Sequence, residues 1–405
     1  MNRLRLAVVG AGRLGGFHAQ KLAAMDSVEL VAVSDPVASR RDALAASCHT
    51  RAVADARQLP GQVDAVVIAA PTSLHHALGM DFLRRGVHVL LEKPLAATAD
   101  EADALVETAC LAGVVLQVGH VERFNPAFAA FCTPHAPREA APCTPHAPRE
   151  GVPCTPHAPR EGLRRADRDE YNAPKYIEAQ RCGPFSFRST DVGVVLDLMI
   201  HDLDLVLSLV HSRVRRIDAL GVSVLGGHED VANVRLEFQN GCVASLSASR
   251  VSYDAVRRMQ IWSARAMAAI DFSARTTTTI RPSETLLRRR FDVSSLSPEQ
   301  VAGYDKLGLL EEHLPRQTEQ FPAVDALALE LDDFVDSIRN HHSPRVTGEQ
   351  ARDAVALAEE ILVEIDRHVW DASSDGPVGP HALPRPRVLP GPHFQSILIP
   401  RKEAG

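Results

Sequence analysis

Apolar residues in the first 120 positions of this chain gather in short, β-branched runs: Leu4–Val9, 28–33, 63–69, 87–91 and 114–118. Stretches with helical spacing separate them, at 13–25, 74–85 and Ala99–Ala112. Strand-length runs alternating with helix-length ones predict βαβ units, and those predict a doubly wound parallel sheet covered on both faces. Beyond residue 195 the pattern changes. Residues 196–210 are apolar nearly all the way round, which predicts a buried helix. Strand-like runs follow with no helix between them: 213–224, Val231–Phe238, 242–250, 257–262, 267–272 and 276–281. Gln239-Asn240-Gly241 places an Asn-Gly turn between the second and third of these. Strands in direct succession predict an antiparallel sheet. Helical periods at 327–339 and 351–368 close the pattern, the last opened by a capping box, Thr347-Gly348-Glu349-Gln350. The expected fold class is α/β, with a parallel-sheet domain over 1–120 and a second α/β domain over 121–372 built on an open, mostly antiparallel sheet.

Two segments stand outside this pattern. Residues 132–164 repeat Cys-Thr-Pro-His-Ala-Pro-Arg-Glu three times at an eleven-residue period, with eight prolines in 33 residues. That proline density prevents helix and sheet alike, and no apolar positions exist to order the segment. Three Cys-x-x-His units raise the question of zinc. The eight residues are copied unchanged, however, including those with no ligand role, which points to duplicated coding sequence instead of a tuned site. Residues 373–405 hold seven prolines and four glycines and read as a flexible tail.

Composition narrows the class. At 405 residues, 45% hydrophobic and 23% charged, the chain is globular and long enough for two domains. Its 44 basic and 51 acidic residues give a net charge of −7, which argues against a general nucleic-acid or anionic-membrane binder. No run reaches the roughly 18 apolar residues of a membrane span. The first residues enter a strand-like run without a signal-peptide layout, and seven scattered cysteines make no disulfide framework. A cytoplasmic location is expected.

Candidate chemistry sits where the strand-like runs end. Gly10-Ala11-Gly12-Arg13-Leu14-Gly15 follows the first strand, opens the first helix and precedes Asp35 by twenty residues. In that context Gly10 permits the tight turn, Gly12 lets the backbone approach a pyrophosphate, and Gly15 lets the helix pack closely on the strand. The pyrophosphate would lie on the helix N-terminus, whose first turn contains Arg13 and Leu14. Asp35 would accept the adenosine ribose hydroxyls and repel a 2′-phosphate, so NAD is expected, with NADP kept open by the nearby Arg40 and Arg41.

Ala70-Pro71-Thr72-Ser73 and Leu91-Glu92-Lys93-Pro94 close two later runs, at the carboxyl edge where open α/β sheets bind ligands. A Glu-Lys pair there is either a solvated surface pair or functional, and Pro94 restricts the backbone of Lys93. On the apolar helix the exceptions Asp197, His201, Asp204 and Ser208 fall within about 60° of one another at roughly 100° per residue. Such a stripe must find internal partners or line a wet cavity. Asp197 and His201 have the spacing of two metal ligands, but a stable zinc site wants three or four, so no metal is expected.

Taken together, Gly-x-Gly-x-x-Gly, the run from Ala70 to His76, Glu92-Lys93-Pro94 and Asp197-x-x-x-His201 resemble the Gfo/Idh/MocA oxidoreductases. These are NAD(P)-dependent sugar and cyclitol dehydrogenases with a Rossmann domain and an α/β domain on an open antiparallel sheet. The resemblance spans about residues 4–131 and 174–370. Gly119-His120-Val121-Glu122-Arg123-Phe124-Asn125-Pro126, with the run from Arg188 to Asp204, is similar to the branch containing UDP-N-acetylglucosamine 3-dehydrogenases. The resemblance implies oxidation of a secondary sugar hydroxyl, the 3-hydroxyl of a UDP-N-acetylhexosamine first, with an inositol, a free sugar or a non-catalytic cofactor-binding regulator as the other readings. It implies Lys93 and His201 as acid/base groups, with Asp197 orienting or assisting. Cofactor contacts are expected from Pro71, Thr72, His75, Glu92 and Lys93. Sugar or diphosphate contacts are expected from Lys93, Arg123, Asn125, Arg188, Asp197 and His201, with Arg181 a further candidate because guanidinium forks match phosphate oxygens. An open sheet face makes a homo-oligomer, dimer or tetramer, the expected assembly.

Overall fold

A computed structural model describes residues 3–132, 173–186, 191–225, 228–304 and 307–368. The repeat from 133 onward, Arg188 and the tail all lie outside the described residues.

The first half folds as the alternation predicts, into β1 (Leu4–Val9), α1 (Arg13–Ala24), β2 (Val28–Ser34), α2 (Ala38–Ser47), β3 (Arg51–Val53), β4 (Ala65–Ile68), α3 (Thr72–Leu83), β5 (His88–Glu92), α4 (Ala99–Ala112) and β6 (Leu116–Gly119). All six strands are parallel, in the order β3-β2-β1-β4-β5-β6. Ala65, Val66, Val67 and Ile68 of β4 are all fully buried, because a central strand of such a sheet is covered on both faces and needs no polar alternation. The strand order reverses between β1 and β4, and ligands of open α/β sheets bind in the crevice above such a reversal. The edge strand β3 escaped the hydrophobic pattern because it is three residues long and only Val53 of it is buried.

After α5 (Pro126–Cys132), the second half builds β7 (Pro174–Cys182), a π-helical turn Val195–Met199 that runs into α6 (Ile200–Val210), then β8 (Val214–Val222), β9 (Val231–Phe238), β10 (Val243–Ser249), β11 (Val256–Ser263), β12 (Met267–Asp271) and β13 (Thr276–Ile280). Short helices α7 (Glu284–Leu287), α8 (Pro298–Gly303) and α9 (Gly308–His313) precede β14 (Arg316–Gln320), α10 (Ala326–Asn340) and α11 (Gly348–Arg367). The eight-stranded sheet has the order β14-β13-β12-β11-β7-β10-β9-β8. Among the described residues its pairs are antiparallel except β7 with β10. That exception arises because β7 enters the sheet before α6 and is later flanked by strands of the following meander. Both β7 and β14 went unread in the pattern: the first adjoins the repeat, and the second, Arg-Gln-Thr-Glu-Gln, has every residue exposed.

The boundary near residue 120 does not separate the packing. Leu331, Phe334, Val335 and Ile338 of α10 are buried in one core with Leu6, Val8, Leu22 and Val33 of the parallel-sheet half. Arg339 Nη2 also donates to the Ser27 carbonyl at 2.6 Å. Residue 347 pairs with Gln117 beyond the last parallel strand, and Val118 N–H donates to the Val346 carbonyl at 3.3 Å. The opposite helix α11 packs on α4, α6 and β8, so the last two helices strap the two sheets together. No helix of the described residues is long and apolar enough to cross a membrane.

Candidate active site

The glycine loop lies at the β1/β4 crevice. Gly10 has φ +105°, and a Cβ there would lie 2.2 Å from the Ala69 carbonyl oxygen. A Cβ on Gly15 would lie 1.9 Å from the carbonyl oxygen of Gly10, so neither position admits a side chain. A Cβ on Gly12 would meet nothing within 4 Å: the loop is open on the side a ligand would use. Gly12 also starts α1 without a side-chain cap, which leaves the amides of the first turn, at Arg13 and Leu14, to an external acceptor. At the end of β2 the buried Asp35 carboxylate accepts Ala11 N–H and Val37 N–H, each at 2.8 Å, and so fixes the loop against the second strand. A dinucleotide fits this cradle, with pyrophosphate over Gly12 and a ribose beside Asp35.

The ends of β4 and β5 are tied together by His75. Its Nδ1 is 2.8 Å from the Pro94 carbonyl oxygen and its Nε2 2.8 Å from that of Ala70. Pro71 caps α3 and Thr72 is buried in its first turn. His75 therefore acts inside the fold, clipping the two strand ends that would border the nicotinamide. Glu92 is buried against His18, and the Lys93–Pro94 peptide is cis.

Lys93 projects from the end of β5 towards the π-helical turn. Its Nζ donates to the Asp197 main-chain oxygen at 2.6 Å and to Asp197 Oδ1 at 3.1 Å. Widened π turns free a main-chain carbonyl from the helical ladder, and they recur at functional sites. Here Lys93 bonds to the carbonyl and carboxylate of the residue inside the turn. The turn is held by Glu229, whose Oε1 accepts Val195 N–H at 3.0 Å and whose main-chain oxygen accepts Val194 N–H at 2.9 Å. One helical turn beyond Asp197, His201 is partly buried, and its enclosed Nδ1 has no hydrogen-bond partner among the described residues. Burial, then the neighbouring ammonium of Lys93 and the guanidinium of Arg181, hold this imidazole well below its ordinary range, so it is neutral near pH 7. A lysine, a carboxylate and a neutral imidazole thus converge at the carboxyl edge of the parallel sheet, where they can pass a proton to or from a hydroxyl.

The remaining candidates divide differently. Arg123 makes a bidentate pair with Asp204, Nε to Oδ2 at 2.6 Å and Nη2 to Oδ1 at 2.9 Å. Asn125 donates Nδ2 to Glu122 Oε2 and to the Phe272 carbonyl, both at 3.2 Å, which uses both of its protons within the chain. Arg181 is buried with its fork on Asp202 at 3.0 and 2.8 Å and Nη1 on Glu122 at 2.8 Å. In the apolar stripe Ser208 turns back to the Leu205 carbonyl at 2.6 Å and takes no part in the site. His120 carries part of the branch resemblance, but the sequence assigned it no role. It is buried at the end of β6, both ring nitrogens lack hydrogen-bond partners among the described residues, Nδ1 lies 4.0 Å from Asp204 Oδ2, and its ring meets that of His201 edge-on at 6.0 Å. Glu229 and Gly193 were missed as well, because a cap contributed from 34 residues away leaves no local signal.

Residues 4–120 match the group described as "Oxidoreductase family, NAD-binding Rossmann fold", and residues 166–269 match the GFO/IDH/MocA C-terminal domain. The chain is 33% identical over 366 residues to a UDP-N-acetylglucosamine 3-dehydrogenase of Acidithiobacillus ferrooxidans, covering 90% of this chain and 98% of that one. The chain belongs to the Gfo/Idh/MocA oxidoreductases. As a member of that family it is an NAD-dependent oxidoreductase with an NAD-binding Rossmann domain over residues 4–120. The solved structure of the Acidithiobacillus enzyme superposes with a TM-score of 0.70 at 32% identity, over 91% of this chain and 99% of that one. A more distant relative, scyllo-inositol 2-dehydrogenase (NAD(+)) of Bacillus subtilis, is 27% identical over 62% of this chain and 68% of its own length. A Bordetella pertussis dehydrogenase solved with NADH and UDP-GlcNAcA shares the fold, with a TM-score of 0.65 at 15% identity, over 91% of this chain and 98% of that one.

Proposed function

We propose that the protein oxidises the 3-hydroxyl of a UDP-N-acetylhexosamine to a 3-keto sugar. The observation that carries this reading is the meeting of Lys93 with Asp197, one turn from His201, at the carboxyl edge of the NAD-binding sheet. The near-complete mutual coverage with a UDP-N-acetylglucosamine 3-dehydrogenase supports the substrate class. NAD, when bound, supplies the hydride acceptor. The chain supplies a place for the sugar and a path for the hydroxyl proton. Lys93 Nζ and the His201 imidazole are the groups for that proton, and the Asp197 carboxylate and carbonyl hold the ammonium in place between turns of reaction. Arg123 acts through Asp204: the pair joins the loop after β6 to α6. The expected assembly is a homo-oligomer formed on the open face of the large sheet, where Tyr176 and Trp262 pair at 5.0 Å between ring centroids.

The deciding measurement is NADH absorbance during turnover of a panel containing UDP-N-acetylglucosamine, its galacto epimer, inositols and free hexoses. The UDP-sugars should be turned over with the highest kcat/KM. An inositol turned over better would replace the substrate assignment, and no turnover with any compound would favour a cofactor-binding regulator.

A further inference from the structure

A reacting imidazole is ordinarily held in place by a hydrogen bond from its second ring nitrogen to a carboxylate or a carbonyl. His201 has no such bond: its Nδ1 is enclosed and lacks a hydrogen-bond partner among the described residues. What it has is a ring beside it. The centroids of His120 and His201 are 6.0 Å apart and their planes lie at 89°, an edge-to-face pair within the range of about 4.5–7 Å that such pairs favour.

His120 is itself fixed from two sides. Its N–H donates to the Val118 carbonyl at 2.8 Å and its own carbonyl accepts Arg123 N–H at 3.0 Å, so the main chain turns tightly past the end of β6. Its side chain is buried, with Nδ1 4.0 Å from Asp204 Oδ2. That is too far for a hydrogen bond but near enough for the carboxylate to attract that edge of the ring. Three residues on, Arg123 grips the same carboxylate with its fork, at 2.6 and 2.9 Å. His120 and Arg123, three apart in the loop, therefore meet His201 and Asp204, three apart on α6. The ion pair sets the helix against the loop, and the ring contact falls on the imidazole beside it.

We infer that His120 is a positioning residue for His201: its ring, seated at the end of β6 against α6, fixes by edge-on contact the direction in which the His201 imidazole meets a substrate hydroxyl. The inference rests on the dehydrogenase reading, which gives His201 a hydroxyl to meet. The charges around the pair agree with it. Burial, with the cations of Arg123 and Lys93, holds His120 below its ordinary range, against the opposing carboxylates of Asp204 and Glu92. Burial, then Lys93, Arg181, His120 and Arg257, hold His201 well below its own, with the Asp197 carboxylate one helical turn away. Both rings are thus neutral near pH 7 and can stay in contact, whereas two imidazolium ions would repel. Without the His120 ring, His201 would be free to rotate, water would enter beside it, and its proton affinity would rise towards the ordinary value.

The test compares His120→Phe, which keeps a ring of similar size, with His120→Leu, which removes it. In turnover of UDP-N-acetylglucosamine with NAD, His120→Phe should keep kcat within about threefold. His120→Leu should lose about tenfold or more in kcat with both KM values nearly unchanged, as misplacement of a reacting group does. The acid limb of the kcat profile should move to higher pH by about half a unit or more in His120→Leu and stay in place in His120→Phe. A purely structural role would lower the melting temperature of His120→Leu but leave kcat and the acid limb of the folded protein unmoved, which overturns the positioning role. Equal loss in both variants would assign the effect to the imidazole nitrogens and overturn the ring contact. If His120→Leu does not fold, a tenfold loss in His120→Phe overturns it and near-wild-type kcat upholds it. A second measurement needs no substrate. In NMR titrations of protein labelled in its histidine rings, with the His201 signal assigned by its loss in His201→Asn, the protonation midpoint of His201 should be higher in His120→Leu than in wild type. An unchanged midpoint overturns the contact. A raised midpoint with no turnover of any UDP-sugar would uphold the contact and reject the substrate reading, so the two failures are told apart.

Discussion

At the scale of single residues, the site depends on keeping imidazoles neutral in a crowded, partly positive environment. His201→Asn should lower kcat for the UDP-sugar by about 10² or more, the usual scale for losing an acid/base group. NAD affinity, measured by fluorescence titration, should change little, because α6 belongs to the other half of the molecule. Lys93→Met should cost as much, and the double variant should lose less than the product of the single losses if both residues serve one proton path. Full activity in His201→Asn would leave the imidazole a structural group. Burial is the main reason that His75, His120 and His201 all titrate below the ordinary histidine value of 6.5. In the unfolded chain these histidines take up protons as the pH falls through about 6.5, while in the folded chain they resist. Their contribution to stability is therefore complete above that pH and declines below it, with a limiting slope of about 1.4 kcal/mol per pH unit for each histidine. Urea unfolding at pH 7.5 and pH 5.5 should show the loss; equal stability at the two would contradict the neutral assignment.

At the scale of elements, the π-helical turn Val195–Met199 decides where Asp197 and Lys93 meet. Gly193 admits Glu229 beneath that turn: a Cβ there would lie 1.9 Å from Glu229 Oε1 and 2.1 Å from its other oxygen. Gly193→Ala must displace the cap, so it should destabilise the protein by about 1–3 kcal/mol and reduce turnover by shifting Asp197. Thermal unfolding and kcat measured together check this, and an unchanged kcat would mean that the turn holds its shape without the cap. The same turn shows the limit of periodicity. A regular 100° step placed Asp197, His201, Asp204 and Ser208 on one stripe, and His201 and Asp204 do lie by the site. Ser208, two turns on, bonds its own helix. Local spacing gives the direction of a helix face but does not register an inserted residue or say what lies opposite.

At the scale of the whole molecule, the two halves share their cores. Helix α10 covers Leu6, Val8, Leu22 and Val33 with Leu331, Phe334, Val335 and Ile338. A fragment ending at residue 132 would expose that apolar face, although it contains every strand of the parallel sheet. It should bind a hydrophobic dye and unfold without a sharp transition, whereas the full chain should unfold cooperatively. A sharply melting, dye-silent fragment would show that α10 is dispensable to the first half.

What the sequence determined by itself is what depends on neighbours along the chain. The parallel half was legible because each buried strand is a continuous apolar run, as β4 shows, and the glycine loop because Gly10 and Gly15 have no room for any side chain. Lys93, Asp197 and His201 could be picked out because polar groups at a strand end and on a buried helix stand out against their surroundings. Tertiary structure alone decided which charges would be spent inside the fold. Arg123, Asn125 and Arg181 look alike as candidate sugar contacts in sequence, but Asp204, Phe272 and Asp202, brought from distant elements, and Glu122, three residues from Asn125 and 59 from Arg181, take up their donors. Nor could any local pattern bring Glu330 beside Glu92, 238 positions apart, since only the fold places one carboxyl oxygen of each within 4.8 Å of the other.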